Sequence, residues 1–357
     1  MRTKQLGIFF MAMVFFFSGL TFSNAADDVI VLKAATTQPR RHPLHDYVYL
    51  HWGKEIEKRT HGKIKFKWYL ANSLVNQMQA QKAVREGLVD VVVQDAIWVE
   101  ESRYPIAKLL NLPFMFDSPR QGAYTFFKAY EAIPEMRKEF VKVKPLAFFT
   151  TGLVNICIKG APPKTLKEMQ GKKLWSVSKT AVQMLKLFGA TPVSTKLQDV
   201  YMGLQRGMLD GALFPIAPAA AFKLTEITNG YTIGNFAAGC QYFAMNLKKW
   251  DTLPPEVQKV FNDLALSTSM LAGTTLTNMT AKVLNGLKKR GDTVYVLPAE
   301  EKARWRARLK PIYDRAVADI DKKGLDGKAM LEKMMSLADE ARKNPYPAAD
   351  AWWQQKK

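Results

Sequence analysis

The chain has 357 residues, 48% of them hydrophobic and 24% charged, a globular composition that supplies two cored lobes and excludes a disordered or low-complexity protein. Its net charge is +20, yet the lysines and arginines are scattered, with no dense run and no recognisable nucleic-acid module. The basic residues therefore read as a dispersed, solvated surface, and no nucleic-acid partner follows from them.

Arg2 and Lys4 precede an apolar run from Leu6 to Leu20, and Ser23-Asn24-Ala25 follows with small residues where a signal peptidase reads. This predicts a signal peptide over 1–25, cut after Ala25 or Ala26, and a periplasmic mature chain. The run is short for a membrane span of about 20 residues, and Asp27-Asp28 follows at once. No later segment is apolar enough to cross, so no stable membrane insertion is expected.

Val29 to Ala35 reads as a buried strand, ending in the polar loop Thr36–Pro43. His45 to Arg59 reads as a helix with Tyr49, Trp52 and Ile56 on one face, and Thr60-His61-Gly62 stops it. Lys63 to Tyr69 alternates as a strand. A helix is expected from Ser73 to Gly87, and then the β-branched strand Val89–Gln94. Cys157 and Cys240 lie in strand-like runs; a disulfide between them and two buried thiols are both open.

Lys173 to Val177 predicts a strand, and an amphipathic helix follows with Val182, Leu185 and Phe188 on one face. Gly189 ends that helix, because glycine adopts the left-handed backbone of a helix exit. Thr191–Ser194 reads as a strand, Gln198–Arg206 as a helix closed by Gly207, and Asp210–Phe214 as a third strand. The result is a βαβαβ run, the pattern of a helix-wrapped parallel sheet, whose ligands sit at the carboxyl ends of the strands. Gly87-x-x-Asp90 and Gly207-x-x-Asp210 each join a helix to a strand, an internal echo that implies two similar α/β lobes. A long helix is expected after Leu253–Gln258, a strand over Thr293–Leu297, a helix carrying Trp305, and a last helix from Asp326 to Lys343. A tail with Trp352-Trp353 follows.

The order of these segments carries a resemblance. Gly171-x-Lys173, Gly189-Ala190-Thr191-Pro192-Val193, Val200-Tyr201-x-x-Leu204-Gln205-x-Gly207-x-x-Asp210-Gly211-Ala212 and Leu112-Pro113-Phe114-Met115-Phe116 resemble the solute-binding proteins of tripartite ATP-independent periplasmic (TRAP) transporters. Lys58–Ile64, Ser73-Leu74 and Leu253–Gln258 are similar to the family's turns. The likeness runs from about Val29 to past Trp305. It implies a two-lobe periplasmic binding protein fold of the α/β class, with a hinge and bracing C-terminal helices. Lobe I would comprise 27–149 and 243–270, lobe II 150–242, and 271–357 would brace both. It further implies a small organic ligand, small and large membrane subunits as partners, no cofactor and no metal.

The resemblance also implies a carboxylate clamp. The family's first arginine position matches Trp175, its second Val154, and its asparagine Phe214; Leu197 stands where an aromatic lines the site. Apolar residues at the clamp positions leave three readings. One is an acid with an aromatic or apolar body stacking on Trp175 and Phe214, its charge held by Arg40 or Arg41. Another is an amine held by Asp95 among aromatic faces. In the third, Trp175 belongs to the lobe core. Gln38, His42, Asn76, Gln77, Trp98, Tyr201 and Gln241 are further candidates at strand ends and loops. The chain lacks a P-loop, a Gly-x-Ser-x-Gly and a His-Glu-x-x-His, so an exported enzyme on a similar fold is the lesser alternative. His42, His45 and Asp46 straddle a proline with loose spacing, and do not read as a metal site.

Overall fold

The computed structural model describes residues 29–343 apart from 39, 41 and 43, and only the backbone at 94 and 95. The expected signal peptide, Arg41 and the Trp352-Trp353 tail lie outside the described residues. The strands, in chain order, are β1 (Ile30–Thr36), β2 (Ile64–Tyr69), β3 (Val91–Ala96), β4 (Val143–Thr150), β5 (Val154–Ile158), β6 (Lys173–Trp175), β7 (Thr191–Val193), β8 (Gly211–Pro215), β9 (Gly230–Ala237), β10 (Cys240–Asn246) and β11 (Thr293–Val296).

They form two sheets, in the orders β2-β1-β3-β10-β4 and β11-β9-β5-β8-β6-β7. In the first, β1 runs parallel to β2 and β3, and β10 runs antiparallel to β3 and β4. In the second, β5 is antiparallel to β8 and β9, while β8, β6 and β7 run parallel. Each sheet is thus a parallel set interrupted by one reversed strand that arrives from the other lobe. The return to the first lobe, expected at 243, starts earlier: Cys240 already pairs with Thr150 of β4.

The echo at Gly87–Asp90 and Gly207–Asp210 has a structural cause. Both glycines hold left-handed backbone, with φ of 79° and 72°. The Asp90 carboxylate accepts the Lys33 N–H at 2.7 Å, and the Asp210 carboxylate accepts the Lys173 N–H at 2.7 Å. Asp210 therefore closes the start of β6, while Asp90 ties the start of β3 to the middle of β1, and both lie away from the carboxyl ends where ligands of such sheets bind.

The helix expected from Ser73 begins at Ala80 instead. Asn76 explains the delay: its side-chain oxygen accepts the N–H groups of Met78 and Gln79, and that turn competes with helix through residue 79. The helix expected from His45 opens as a π-helical stretch, His45–Tyr49, before the α-helix Leu50–Arg59. The strand expected to reach Val177 stops at Trp175, because the Ser176 hydroxyl donates to the Leu213 carbonyl and Ser178 caps the helix Lys179–Leu187 through the Ala181 N–H.

The helix Pro255–Arg290 has 36 residues, about 54 Å of rise. Its Phe261, Leu264, Leu271 and Leu276 pack in the core with Trp52, Phe149 and Phe243 of the first lobe, and its Leu287 packs with Tyr231 and Leu204 of the second. Further along, Trp305 is fully buried between Phe188 and Phe236, with ring centroids 4.8 and 5.2 Å away. The helix Gly327–Lys343 packs on Pro119–Ala132, with the Gln121 amide donating to the Ala338 carbonyl. Arg342 and Lys302 both pair with Asp117. Among the described residues, no helix is long and apolar enough to cross a membrane.

The chain crosses between lobes at Thr151–Leu153 and at Ala238–Gly239. The two crossings are tied to each other: the Thr151 N–H donates to the Gly239 carbonyl at 2.8 Å, and the Gly239 N–H to the Thr151 hydroxyl at 3.0 Å. A Cβ at Gly239 would stand 2.5 Å from the Trp98 indole, so the ring lies on bare backbone. Gly239→Ala is therefore expected to lower stability by about 1–3 kcal/mol through overpacking. The check is the urea midpoint of this variant and of the Gly239→Ala/Trp98→Leu pair, in which the smaller side chain should recover most of the loss.

Candidate functional site

Strand direction points to a candidate site. The end of β4 at Thr150 leads into the second lobe, and the end of β9 at Ala237 leads back into the first. The parallel strands of both sheets consequently point their carboxyl ends at the crossings, and the two edges face each other. The ends of β1 and β3 supply the first-lobe edge; β6 and β8 supply the second.

On the second-lobe edge the structure brings Trp175 and Phe214 together, with ring centroids 5.4 Å apart. They are 2% and 6% exposed and belong to an apolar cluster with Cys157, Val200, Leu204 and Ala212. The Trp175 indole N–H donates to the Thr195 carbonyl at 2.9 Å, so the side chain's one polar atom is satisfied within its own lobe. What remains is apolar ring. Val154 opens β5, half-buried, opposite Pro215 and Ala237. Leu197 and Tyr201 are half-buried and pack against the same cluster.

The first-lobe edge is polar. The Gln38 N–H donates to the Thr36 hydroxyl at 3.2 Å, and the Thr37 hydroxyl donates to the Gln77 side-chain oxygen at 2.9 Å. The Gln77 amide nitrogen is buried without a hydrogen-bond partner among the described residues. His42 is buried, and its Nδ1 accepts the Leu44 N–H at 3.3 Å. Burial, with His45 close by, pushes its pKa from 6.5 down to about 3. A neutral ring whose Nδ1 is an acceptor carries its proton on Nε2, so His42 is a fixed neutral donor. Arg40 is exposed on the same loop.

The other candidates are more dispersed. Asn76 is exposed and spends its side-chain oxygen on its own turn. Asp95 pairs through its backbone with Tyr242, and its side chain lies outside what is described. Trp98 lies half-buried at the second crossing, and Gln241 is buried in β10 beside Ala96 and Phe149. Burial raises the Glu101 carboxyl, opposed by Lys108 and by Lys179, which opens a second-lobe helix. The rims of the two lobes are therefore within electrostatic reach of each other. Cys157 and Cys240 are free, buried thiols in different sheets; burial raises both, Cys157 to about 12, which keeps them protonated and unreactive.

Two positioning residues escaped the sequence reading. Thr37 orients Gln77 from forty positions away in the chain. Asn111 accepts the Cys240 N–H at 2.6 Å and so fixes the start of β10 at the crossing. The one local signal for Asn111 is its place directly before Leu112-Pro113-Phe114.

The family profile described as bacterial extracellular solute-binding protein, family 7 (DctP), matches residues 34–319. The chain belongs to this family. Among its relatives, the 2,3-diketo-L-gulonate-binding periplasmic protein YiaO of Escherichia coli strain K12 is 25% identical over 270 residues, which is 74% of this chain and 80% of that protein. A TRAP solute-binding protein from Rhodoferax ferrireducens T118, crystallised with copurified benzoate, superposes with a TM-score of 0.81 at 23% identity, over 88% of this chain and 99% of that one. A marine-metagenome TRAP solute-binding protein specific for aromatic acids, crystallised with 3-hydroxybenzoate, superposes with a TM-score of 0.81 at 24% identity, over 88% and 100% of the two chains. The fold is thus the two-lobe α/β fold of TRAP solute-binding proteins of the DctP type, and the chain is a solute-binding receptor of a TRAP transporter.

Proposed function

We propose that this receptor captures, in the periplasm, an organic acid with an aromatic or otherwise apolar body, closes its lobes over it, and delivers it to the small and large membrane subunits of its transporter. The observation that carries the reading is the second-lobe edge. Trp175, Phe214 and Val154 stand at the positions where the resemblance implies two arginines and an asparagine. An apolar ring edge gains little from a compact dicarboxylate, whose surface is mostly charged oxygen, and gains more from an aryl group. The benzoate and 3-hydroxybenzoate proteins of the same fold support that class; YiaO, a sugar-acid binder by name, is the counterweight. Capture works because contacts from both lobes favour the closed form over the open one. The amine reading rests on Asp95, whose side chain lies outside the described residues.

The test is a thermal-shift series with benzoate, 3-hydroxybenzoate, succinate and 2,3-diketogulonate, followed by calorimetry of the best ligand. An aromatic acid at 100 times its Kd should stabilise the protein by about 2.7 kcal/mol and give the largest shift. If succinate gives the largest shift, and Trp175→Phe binds it as tightly as the parent, the aromatic reading is wrong.

A further inference from the structure

We infer that the ligand lies with its acid group against the first lobe, on Gln77 and His42, and its apolar body against the second. This deepens the reading just given, and it reverses the polarity that the family resemblance implies, in which second-lobe arginines take the carboxylate.

The Gln77 amide is the first anchor. Its oxygen is engaged by the Thr37 hydroxyl, and its nitrogen is buried with no partner among the described residues. Turning the amide over does not cure this, because the oxygen would then be the buried atom without a partner. A buried polar atom left unpaired costs about 1–3 kcal/mol, so this nitrogen calls for an acceptor. Thr37 follows β1 directly, and β1 points its carboxyl end at the opposite lobe, so this amide belongs to the cleft edge.

His42, five residues after Thr37, adds a second donor. Its Nδ1 is committed to the Leu44 N–H, which leaves the proton on Nε2. Arg40, exposed between them in the chain, supplies positive charge without being buried. The loop after β1 therefore carries one neutral donor and one solvated cation, and Thr37 ties the Gln77 amide to that loop. The second-lobe edge is apolar, with Trp175 2% and Phe214 6% exposed, and its indole N–H is already spent on Thr195. A carboxylate set against the second lobe would lose hydration and meet no free donor from Trp175, Phe214 or Val154. Set against Gln77 and His42, it meets donors whose own desolvation cost is already borne by the fold. Two neutral donors and a distant cation also favour one carboxylate over two.

Isothermal calorimetry on the full mature chain tests this, with benzoate paired against benzyl alcohol as the uncharged probe, and succinate and 2,3-diketogulonate as further acids. The variants are Gln77→Glu, which replaces the amide donor by a carboxylate facing the ligand's acid group, and Gln77→Leu, which removes the amide at similar volume. Gln77→Glu should weaken benzoate at least tenfold and change benzyl alcohol by less than threefold; Gln77→Leu should weaken benzoate more than benzyl alcohol. Melting curves of both variants confirm that they fold. Benzoate affinity unchanged in both variants, or acid and alcohol weakened equally, overturns the orientation and leaves the aromatic-acid reading standing. If succinate or diketogulonate proves to be the ligand and Gln77→Glu weakens it tenfold, the orientation stands and the aromatic reading falls. Absence of binding by every acid overturns both.

Discussion

Trp175→Ala is expected to lower the free energy of unfolding by about 3–5 kcal/mol, the range for deleting a large aromatic from a packed core. The residue is 2% exposed, sits 5.4 Å from Phe214, and packs with Cys157, Val200 and Ala212. Trp175→Phe should cost less, about 1–2 kcal/mol, because the ring stays and the chief loss is the indole donor to the Thr195 carbonyl. Equilibrium urea unfolding reads both. A loss below about 1 kcal/mol for the alanine variant would mean that the ring is not core at all. Trp175→Arg, which installs the residue the resemblance implies, should destabilise at least as much as alanine. It places a guanidinium in an apolar cluster, and a buried charge without a designed partner costs several kcal/mol. The same variant is not expected to create dicarboxylate binding, because Phe214 occupies the neighbouring clamp position.

These expectations show why the site was harder to read than the fold. Gly87, Gly207, Asp90 and Asp210 were legible because turn chemistry is local: the glycines accept positive φ, and each aspartate reaches only the adjacent strand. The helix Lys179–Leu187 was legible from its periodicity and its exit at Gly189, whose φ is 87°. Strand membership was less so. β5 and β10 each sit reversed in a sheet with long sequence separations, and nothing local in Cys240-Gln241-Tyr242 says that pairing with β4 has begun. At the site, an aromatic residue at a strand end looks the same in sequence whether it faces a ligand or fills the lobe. The indole's bond to Thr195, twenty residues away, is what places Trp175 in its own lobe. Gln77 was legible as a candidate, but its significance rests on Thr37, a hydroxyl forty residues earlier that no motif marks.

Acid and base should act on this protein through two buried groups with opposite signs. His42 is held neutral, its pKa lowered from 6.5 to about 3 by burial and then by His45. The unfolded chain binds that proton more readily, so the stabilisation is complete above pH 6.5 and is lost as pH falls towards 3. Glu139 is raised from 4.5 to about 7 by burial, although the Ile106 and Ala107 N–H groups pull the other way. Its contribution is complete below pH 4.5 and is lost as pH rises through 7. His42 is worth on the order of 5 kcal/mol across its window and Glu139 on the order of 3 kcal/mol. Between pH 4.5 and 6.5 the two slopes oppose, which predicts a broad optimum there. Urea unfolding at fixed pH separates them. His42→Gln should remove the fall of stability below pH 4.5 that this group causes, and Glu139→Gln the fall above pH 6.5. Identical pH profiles for parent and variants would remove both groups from the account. Glu139 also bears on the crossing between lobes. It anchors Ile106 and Ala107 at the start of the segment that ends in Asn111, and Asn111 holds the Cys240 N–H. Hydrogen exchange at Cys240 should therefore slow in Glu139→Gln relative to the parent at pH 8, where the parent carries the buried charge, and match it at pH 5 once exchange rates are corrected for pH.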